Sequence, residues 1–390
     1  MDFQRHPLYS WLSELRRDLH RHPEPPCEET RTTGVIKGLL EEWGLEIRTP
    51  PELRTGVVAL LPGGEPGPVL GLRADIDALH LEELNQVPYR SANAGVMHAC
   101  GHDAHTTIML GVARNLVESG LAGRLKGSVK FLFQPAEEKV AGARAMIAAG
   151  ALEDPPLDRV LACHMWPQLR VGQAGFYRGV SHAAADRFAI HIQGRGAHGA
   201  SPHLACDPVL AGAHLVTALQ SVISRDLDPT DSGVVSVGIF QAGSAANVIP
   251  DSARIEGTVR SFKDEVRELI KRRIGELAHG LEAGFGVNCD YRFKDGVPPC
   301  RNDETVSRDL YRASARVLEE KDLFWLEPKT GAEDFALFTQ RVSGAIMRLG
   351  CSNPERGITH PLHSPHFDID EAVLPIGVEV FTQAVLDYLS

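Results

Sequence analysis

The chain has 390 residues, of which 43% are hydrophobic and 23% are charged. This composition is typical of a globular protein, and the length predicts two or three domains of about 150 residues each. The 40 basic and 51 acidic residues give a net charge of −11 without any basic stripe, which argues against nucleic acid or an anionic membrane surface as a partner. No apolar run reaches the ~18 residues that a membrane helix needs.

The cysteines and the first residues indicate the compartment. The seven cysteines are an odd number and form no CxxC pair, which favours reduced thiols over a disulfide framework. Residues 1–7 lack the apolar segment of a secretory signal, so we expect none. Together these observations predict a cytoplasmic protein.

The first 181 residues read as an α/β domain. An opening helix places Trp11, Leu12, Leu15 and Leu19 on one face. Helical segments, notably 106–118, then alternate with apolar runs that predict strands. The predicted strands are 57–61, 69–76, 129–133 and 160–163. Nearly continuous apolar strands between helices indicate a sheet that is covered on both faces.

From about residue 183 the pattern changes to β-α-β-β-α-β, the order of a ferredoxin-like unit. Its predicted strands are 187–193, 234–241, 253–261 and 287–293, and its predicted helices are 208–224 and 264–285. The α/β pattern then returns with a helix at 304–319, a strand at 345–349 and a helix from about residue 371. We therefore predict a domain of residues 182–292 inserted into a domain of residues 1–181 and 293–390.

Residues 194–199 match the GxGxxG pattern of dinucleotide-binding proteins. That site requires a helix opening at the glycines and an acidic residue about 20 positions later. Pro202 interrupts the next turn, and 208–224 contain no acidic residue. The sequence therefore does not favour nucleotide binding.

Side chains that bind metals follow several predicted strands. Asp75 and Asp77 end one strand, Glu137 and Glu138 follow another, and His164 follows a third. Two further stretches are rich in histidine; they contain His98, Cys100, His102 and His105, and His360, His363 and His366. Each residue alone could be a surface histidine, a buried thiol, a helix cap or a solvated acid. Because parallel strands bring their ends to one edge of a sheet, the joint pattern instead favours one site.

Imidazole, thiolate and carboxylate groups together suit zinc, manganese and similar divalent ions. In an extended segment, adjacent side chains point in opposite directions. One of the two glutamates could therefore bind metal while the other faces the activated water as a general base. Metal binding lowers the pKa of water from about 15.7 to about 7, and a placed carboxylate adds roughly 10²- to 10⁴-fold in rate.

These segments resemble the M20 metallopeptidases, specifically the subfamily D of N-acyl-amino-acid amidohydrolases, hippurate hydrolases and auxin-conjugate hydrolases. The resemblance is carried by residues 19–24, 72–79, 98–105, 133–138, 247–250, 331–335 and 362–365. It implies a zinc-peptidase-like mixed-sheet α/β catalytic domain with an inserted α+β ferredoxin-like lid and dimerisation domain. The implied metal ligands are Cys100, His102, Glu138, His164 and His363.

The same resemblance implies roles for four more residues. Glu137 would be the general base, and Asp77 would orient the ligands. His198 would contact the substrate carbonyl, often from a partner subunit, and Asn247 would contact the substrate carboxylate. The expected enzyme is a homodimer or higher homo-oligomer that hydrolyses N-acyl amino acids with two divalent ions per chain (Zn, Mn, Ni or Co). A dipeptidase or carboxypeptidase, and a metal-binding or amino-acid-binding protein without activity, remain alternatives.

Overall fold

The structure is a computed structural model that describes residues 3–390. Within this range the chain forms two compact units. Unit 1 comprises the residues up to Ser181 together with Arg301–Glu327 and Glu333–Ser390, and unit 2 comprises His182–Cys300 and Pro328–Ala332. Among the described residues, no helix combines the length and hydropathy that a membrane span requires.

The helices and strands are numbered in chain order. The helices are α1 (Tyr9–Arg21), α2 (Thr30–Glu42), α3 (His102–Glu118), α4 (Gly142–Ala148), α5 (Pro208–Ser221), α6 (Asp264–Phe285), α7 (Glu304–Ser314), α8 (Ala336–Thr339) and α9 (Val373–Leu389). The strands are β1 (Glu46–Ile47), β2 (Val57–Pro62), β3 (Glu65–Asp75), β4 (Lys126–Gln134), β5 (Arg159–Arg170), β6 (Ala174–Phe176), β7 (Val180–His182), β8 (Ala184–Gln193), β9 (Ala197–His198), β10 (Gly233–Ala242), β11 (Val248–Ile249), β12 (Ser252–Ser261), β13 (Asn288–Val297), β14 (Cys300–Arg301), β15 (Leu323–Trp325) and β16 (Ser343–Ser352).

Unit 1 is built on an eight-stranded sheet in the order β1-β2-β4-β3-β5-β16-β6-β15. The central strands β4, β3, β5 and β16 are parallel, whereas β2 pairs antiparallel with β1 and β4. Strand β6 pairs antiparallel with β16 and parallel with β15. The predicted mixed α/β fold is therefore confirmed. Helices α1, α3 and α9 pack closely at Gly111, where a Cβ atom would lie 2.5 Å from Val378 Cγ2 and 2.8 Å from Leu12 Cδ2.

Unit 2 contains an antiparallel sheet in the order β10-β12-β8-β13, and helices α5 and α6 pack against it. Strand β8 alternates as a half-buried strand should, because Phe188, Ile190 and Ile192 are buried while their neighbours are more exposed. These side chains form a separate core with Leu215 of α5 and Ile270 of α6. When only the strands of this sheet are counted, the order along the chain from β8 to β13 is β-α-β-β-α-β; β9 and β11 form a separate two-stranded sheet.

One predicted helix changes its type near its end, and another was too long. The helix predicted at 208–224 is α-helical to Ser221, whose hydroxyl donates to the carbonyl of Ala218, and continues as a π-helix over Val222–Asp226. The helix predicted at 304–319 ends at Ser314, whose hydroxyl donates to the carbonyl of Leu310. Serine hydroxyls that bond to a preceding carbonyl disturb the helix locally.

Other differences affect the candidate site directly. Helix α3 begins at His102 rather than at residue 106, and β5 continues to Arg170, so His164 lies inside this strand instead of after it. The short strand β9 lies within residues 194–199, between Gly196 and Gly199, so no helix opens at these glycines.

Candidate metal centre

Four segments of unit 1 carry the predicted ligands. Cys100 and His102 flank Gly101, which precedes α3, and His164 lies in β5. Glu138 lies in the turn after β4, and His363 lies in the loop before α9. Gly101 adopts φ +86°, and a Cβ atom there would lie 2.7 Å from Met165 Cγ. A glycine is thus needed for the start of α3 to lie against β5.

The structure brings the five predicted ligands together in two overlapping groups. The donor atoms of Cys100, His102 and His164 lie within 4.8 Å of one another, and so do those of Cys100, Glu138 and His363. Cys100 Sγ is 3.4 Å from His164 Nε2, and Glu138 Oε1 is 3.5 Å from His363 Nε2 and 3.9 Å from His102 Nε2.

Two of these donor atoms are buried and unpaired. Neither His102 Nε2 nor Glu138 Oε1 has a hydrogen-bond partner among residues 3–390. Buried polar atoms are nearly always paired, so two such atoms side by side call for a ligand. A thiol, imidazoles and a carboxylate are the ligand types that zinc and related divalent ions prefer, and the residues therefore fit a metal.

Asp77 orients two of the predicted ligands. Its carbonyl oxygen and Oδ1 lie 2.9 and 3.2 Å from His102 Nδ1, and its Oδ2 accepts the N–H of Glu138 at 3.0 Å. When the His102 ring is neutral, Nδ1–H donates to Asp77 and the lone pair is on Nε2. This is the usual way in which a second carboxylate fixes the tautomer of a metal-binding histidine.

The electrostatics of the ligands suit a cation. Burial lowers the pKa of His164 well below its usual value, and the nearby Arg348 guanidinium lowers it further. The ring is therefore neutral, as a ligand must be. Burial, and then the charge of Glu138, raise the pKa of the Cys100 thiol. A bound divalent ion reverses this effect, because a coordinating thiol loses its proton.

Glu137 is 9% exposed and lies beside the ligands. Its carboxylate, Glu138 and His102 offer atoms within 4.8 Å of one another, as do Glu137, Glu333 and Asp334. Burial raises the pKa of Glu137 well above its usual value, and the charges of Glu333, Asp334 and Glu138 raise it further. A carboxylate with a raised pKa takes up a proton readily, which suits a general base.

The backbone conformation that directs the side chains of Glu137 and Glu138 differs from the predicted one. They lie in a turn and not in an extended segment. Ala136 and Val140 both have positive φ, +50° and +56°, and the Val140 N–H donates to the Glu137 carbonyl at 2.6 Å. The tight turn, rather than strand alternation, therefore directs the two side chains.

A network of buried charges under the site was not predicted. Arg73, fully buried, donates to Asp75 at 2.7 Å, to Asp334 at 2.9 Å and to Gln134 at 2.9 Å. Burial raises the pKa of Asp334 to about 7, although Arg73 opposes the shift. Arg73, Gln134, Glu333 and Asp334 all lie in segments that carry the family resemblance, and this was the available signal.

The remaining predicted residues, His198 and Asn247, lie in unit 2. They are exposed and adjacent across the pairing of β9 with β11, where Gly199 N–H donates to the Asn247 carbonyl. The N–H of Ala200 donates to His198 Nδ1 at 3.0 Å. The proton of the neutral imidazole is therefore on Nε2, which leaves that atom as a donor.

The chain is similar to known hydrolases over most of its length. The profile of peptidase family M20/M25/M40 matches residues 71–387. N-acetylcysteine deacetylase of Bacillus subtilis (strain 168) is 39% identical over 96% of both chains. IAA-amino acid hydrolase ILR1-like 4 of Arabidopsis thaliana is 35% identical over 99% of this chain and 87% of its own.

The fold is also shared with solved structures. The Bacillus subtilis YXEP protein, described as a dinuclear metal binding peptidase from the M20 family, superposes with a TM-score of 0.86. It is 36% identical, and the match covers 98% of both chains. The predicted ligands and Glu137 all lie within the range that the family profile matches. The chain therefore belongs to peptidase family M20, and it is a metal-dependent amide hydrolase.

Proposed function

We propose that the protein hydrolyses the amide bond of N-acetyl or N-aroyl L-amino acids, releasing a carboxylic acid and a free amino acid. The observation that carries this proposal is the buried Glu137, whose carboxylate adjoins His102 and Glu138. A protein that only binds metal or amino acid has no need for this additional carboxylate. Relatives named as an N-acetylcysteine deacetylase and an amino acid hydrolase support the substrate class.

We propose that Cys100, His102, Glu138, His164 and His363 hold two divalent ions, which could be Zn, Mn, Ni or Co. Two groups of donor atoms, Cys100 with His102 and His164 and Cys100 with Glu138 and His363, support a pair of ions. When bound, such ions polarise the amide carbonyl and lower the pKa of water to about 7. Asp77 holds His102 and Glu138 in place for this purpose.

Glu137 moves the proton in this proposal. Its carboxylate takes a proton from the attacking water as the carbon–oxygen bond forms. It then gives that proton to the amine nitrogen as the carbon–nitrogen bond breaks. Placed acids and bases of this kind contribute roughly 10²- to 10⁴-fold to the rate.

We assign substrate contacts to the two residues of unit 2. His198 Nε2–H would donate to the carbonyl oxygen as negative charge develops on it, and loss of one such donor typically costs about 10²- to 10³-fold in kcat. The amide of Asn247 would bind the substrate carboxylate. Residues 182–292 would then be a substrate-contacting domain, and residues 1–181 and 293–390 the catalytic domain.

The exposed apolar residues of unit 2 support a homodimer. The edge strand β10 pairs on one side only, with β12, and exposed edges are templates for pairing. Large apolar side chains in unit 2 are also 36–58% exposed; they are Leu204, Val209, Leu210, Val234, Ile239, Phe240 and Val248. We expect the double variant Val234→Lys with Ile239→Lys to be monomeric by light scattering. A dimer that persists in this variant would remove β10 from the interface.

The cysteines support a cytoplasmic location. None of the seven, all of which lie within residues 3–390, is in a disulfide. Structural disulfides are rare in the cytosol, where thiols stay reduced. Cell fractionation would test this proposal, and recovery from an exported fraction would contradict it.

A substrate panel tests the activity directly. Release of free amine is measured from N-acetyl and N-benzoyl amino acids with added manganese or zinc, and again with a chelator. We expect release that the chelator abolishes. Dipeptide cleavage without N-acyl cleavage would favour the dipeptidase or carboxypeptidase alternative. Metal binding without hydrolysis of any substrate would favour a binding protein.

A further inference from the structure

Residues 98–105, which include the predicted ligands Cys100 and His102, contain three histidines. The third of them, His105, has no role in the proposed mechanism. It lies in the first turn of α3 and is completely buried. Its Nδ1 is 2.5 Å from Asp75 Oδ1, and its Nε2 accepts the N–H of Met165 at 2.8 Å. Both ring nitrogens are therefore occupied by protein groups.

These partners fix the tautomer of His105. The Met165 amide can only donate, so Nε2 carries the lone pair and Nδ1–H donates to Asp75. Asp75 is itself fixed, because Arg73 Nη1 donates to its other oxygen at 2.7 Å. Burial lowers the pKa of His105, which agrees with a neutral ring.

The backbone of Met165 connects His105 to a predicted ligand. Its N–H is held by His105, and its carbonyl oxygen lies 2.8 Å from His164 Nδ1. His164 Nδ1–H donates to this carbonyl, so the lone pair of His164 is on Nε2, the atom near Cys100. The rings of His105 and His164 are also in contact, with centroids 4.7 Å apart.

We propose that His105 is a positioning residue that holds His164 in its metal-binding orientation through the backbone of Met165. The inference rests on the metal centre of the proposed function, but it concerns a residue outside the ligand set. The loss of a group that supports a metal ligand typically weakens metal affinity by 10- to 100-fold.

A different role for His105 would be direct metal binding. The donor atoms of Asp75, His102 and His105 do lie within 4.8 Å of one another. However, the hydrogen bonds to Asp75 and Met165 use both nitrogens of His105, and Asp75 is bound to Arg73. A separate ion at these residues would have to break these buried contacts.

The test compares two variants of His105 with a control on the same helix. His105→Leu removes both hydrogen bonds, whereas the amide of His105→Gln can donate to Asp75 and accept from Met165. Thr107→Val is the control, because the Thr107 hydroxyl bonds only within α3, to the Asp103 carbonyl. Each chelator-treated protein is titrated with Co²⁺ while its visible absorption and its binding heat are recorded.

We expect His105→Leu to bind Co²⁺ about 10- to 100-fold more weakly, with an altered visible spectrum and an unchanged number of ions at saturation. His105→Gln and Thr107→Val should bind within about threefold of the original protein. Unchanged affinity in the Leu variant, a Gln variant as weak as the Leu variant, or a loss of one ion at saturation would each overturn the inference.

Two further results keep the test decisive. If His105→Leu does not fold, histidine ¹⁵N NMR of the chelator-treated original protein replaces it. The neutral Nδ1–H tautomer is then expected for His105, and an Nε2–H tautomer would overturn the inference. If the original protein binds no Co²⁺, the proposed metal centre itself is wrong. If it binds Co²⁺ and His105→Leu binds equally well, only the role of His105 is wrong.

Discussion

Asp77 binds the His102 ring through two oxygen atoms, its carbonyl oxygen at 2.9 Å and its carboxylate Oδ1 at 3.2 Å. The second carboxylate oxygen accepts the Glu138 N–H at 3.0 Å. One buried side chain therefore contacts two predicted ligands from different elements, α3 and the turn after β4.

The first prediction follows from this double contact. In Asp77→Asn an NH2 group, which can only donate, replaces one of the two accepting oxygens, so the side-chain contact to His102 or to Glu138 is lost while the backbone carbonyl still accepts from His102. We expect metal affinity to fall by about 10- to 100-fold, as measured by calorimetric titration of the chelator-treated protein with Mn²⁺. Asp309→Asn, a change at a half-exposed ion pair with Arg159, should keep the original affinity. An Asp77→Asn variant that binds as tightly as this control would contradict the role of Asp77.

Substitutions of the adjacent residues Glu137 and Glu138 should have different effects on turnover and on metal affinity. Glu137→Gln removes the proton acceptor but none of the predicted ligands, so it should retain metal while kcat falls by at least about 10²-fold. Glu138→Gln removes a ligand and should lose metal affinity. Metal content by mass spectrometry and kcat at saturating metal distinguish the two variants. Near-normal turnover in Glu137→Gln would exclude it as the base.

We expect Cys100 to affect metal affinity because its sulfur binds metal, and not because its side chain fills space in the core. We expect Cys100→Ala to lower metal affinity, because the thiolate is a donor in both groups of predicted ligands. Cys351→Ala removes another buried thiol of unit 1, in β16, and controls for packing. Equal metal retention in the two variants would place Cys100 outside the ligand set.

The sequence predicted the chemistry of the site better than its geometry. Side chains that follow apolar strands identified Asp77 and Glu138, because the carboxyl ends of parallel strands share an edge. The positive φ of Ala136 could not be predicted, since alanine rarely adopts it. The role of His105 depends on Met165, a partner 60 residues away that only the fold brings near.

The same distinction applies to the fold. The long apolar strands at the centre of the unit 1 sheet were all predicted, although the strand predicted at 160–163 covers only the first part of β5. The short edge strands β1 and β15, of two and three residues, were missed because such segments show no periodicity. Helix α2 was missed as well, and only Thr32, Ile36 and Leu40 of it are buried.

Asp368 gives a prediction for the effect of pH on stability. It accepts from Arg16 at 2.9 Å and from Tyr89 at 2.8 Å. Although burial opposes the shift, the Arg16 guanidinium lowers the pKa of Asp368. A carboxylate with a lowered folded pKa stabilises the protein above its unfolded pKa, about 3.9, and this contribution is lost as pH falls through the folded pKa.

Asp368→Asn should therefore unfold more easily than the original protein at pH 7, by about 1–3 kcal/mol. The difference should shrink as pH falls below about 4, because the unfolded carboxylate then takes up a proton, and it should be lost once pH falls through the lower folded pKa. Urea unfolding of both chelator-treated proteins from pH 7 to pH 3 measures the difference. Asp290→Asn, a change at an exposed carboxylate, controls for net charge. A difference that does not vary with pH would contradict the assignment.

Mixing two inactive variants tests whether His198 acts on the site of the partner subunit. His198→Ala and Glu137→Gln chains are mixed, dissociated and reassociated. If His198 acts in the partner's site, each mixed dimer has one site with an intact base and an intact histidine. Random reassociation makes about half of the dimers mixed, so about a quarter of the original activity should return. If His198 acts within its own chain, every site keeps one lesion and no activity returns. No activity should return when the Val234→Lys and Ile239→Lys changes are added to both chains, because a monomeric variant has no partner subunit to supply His198.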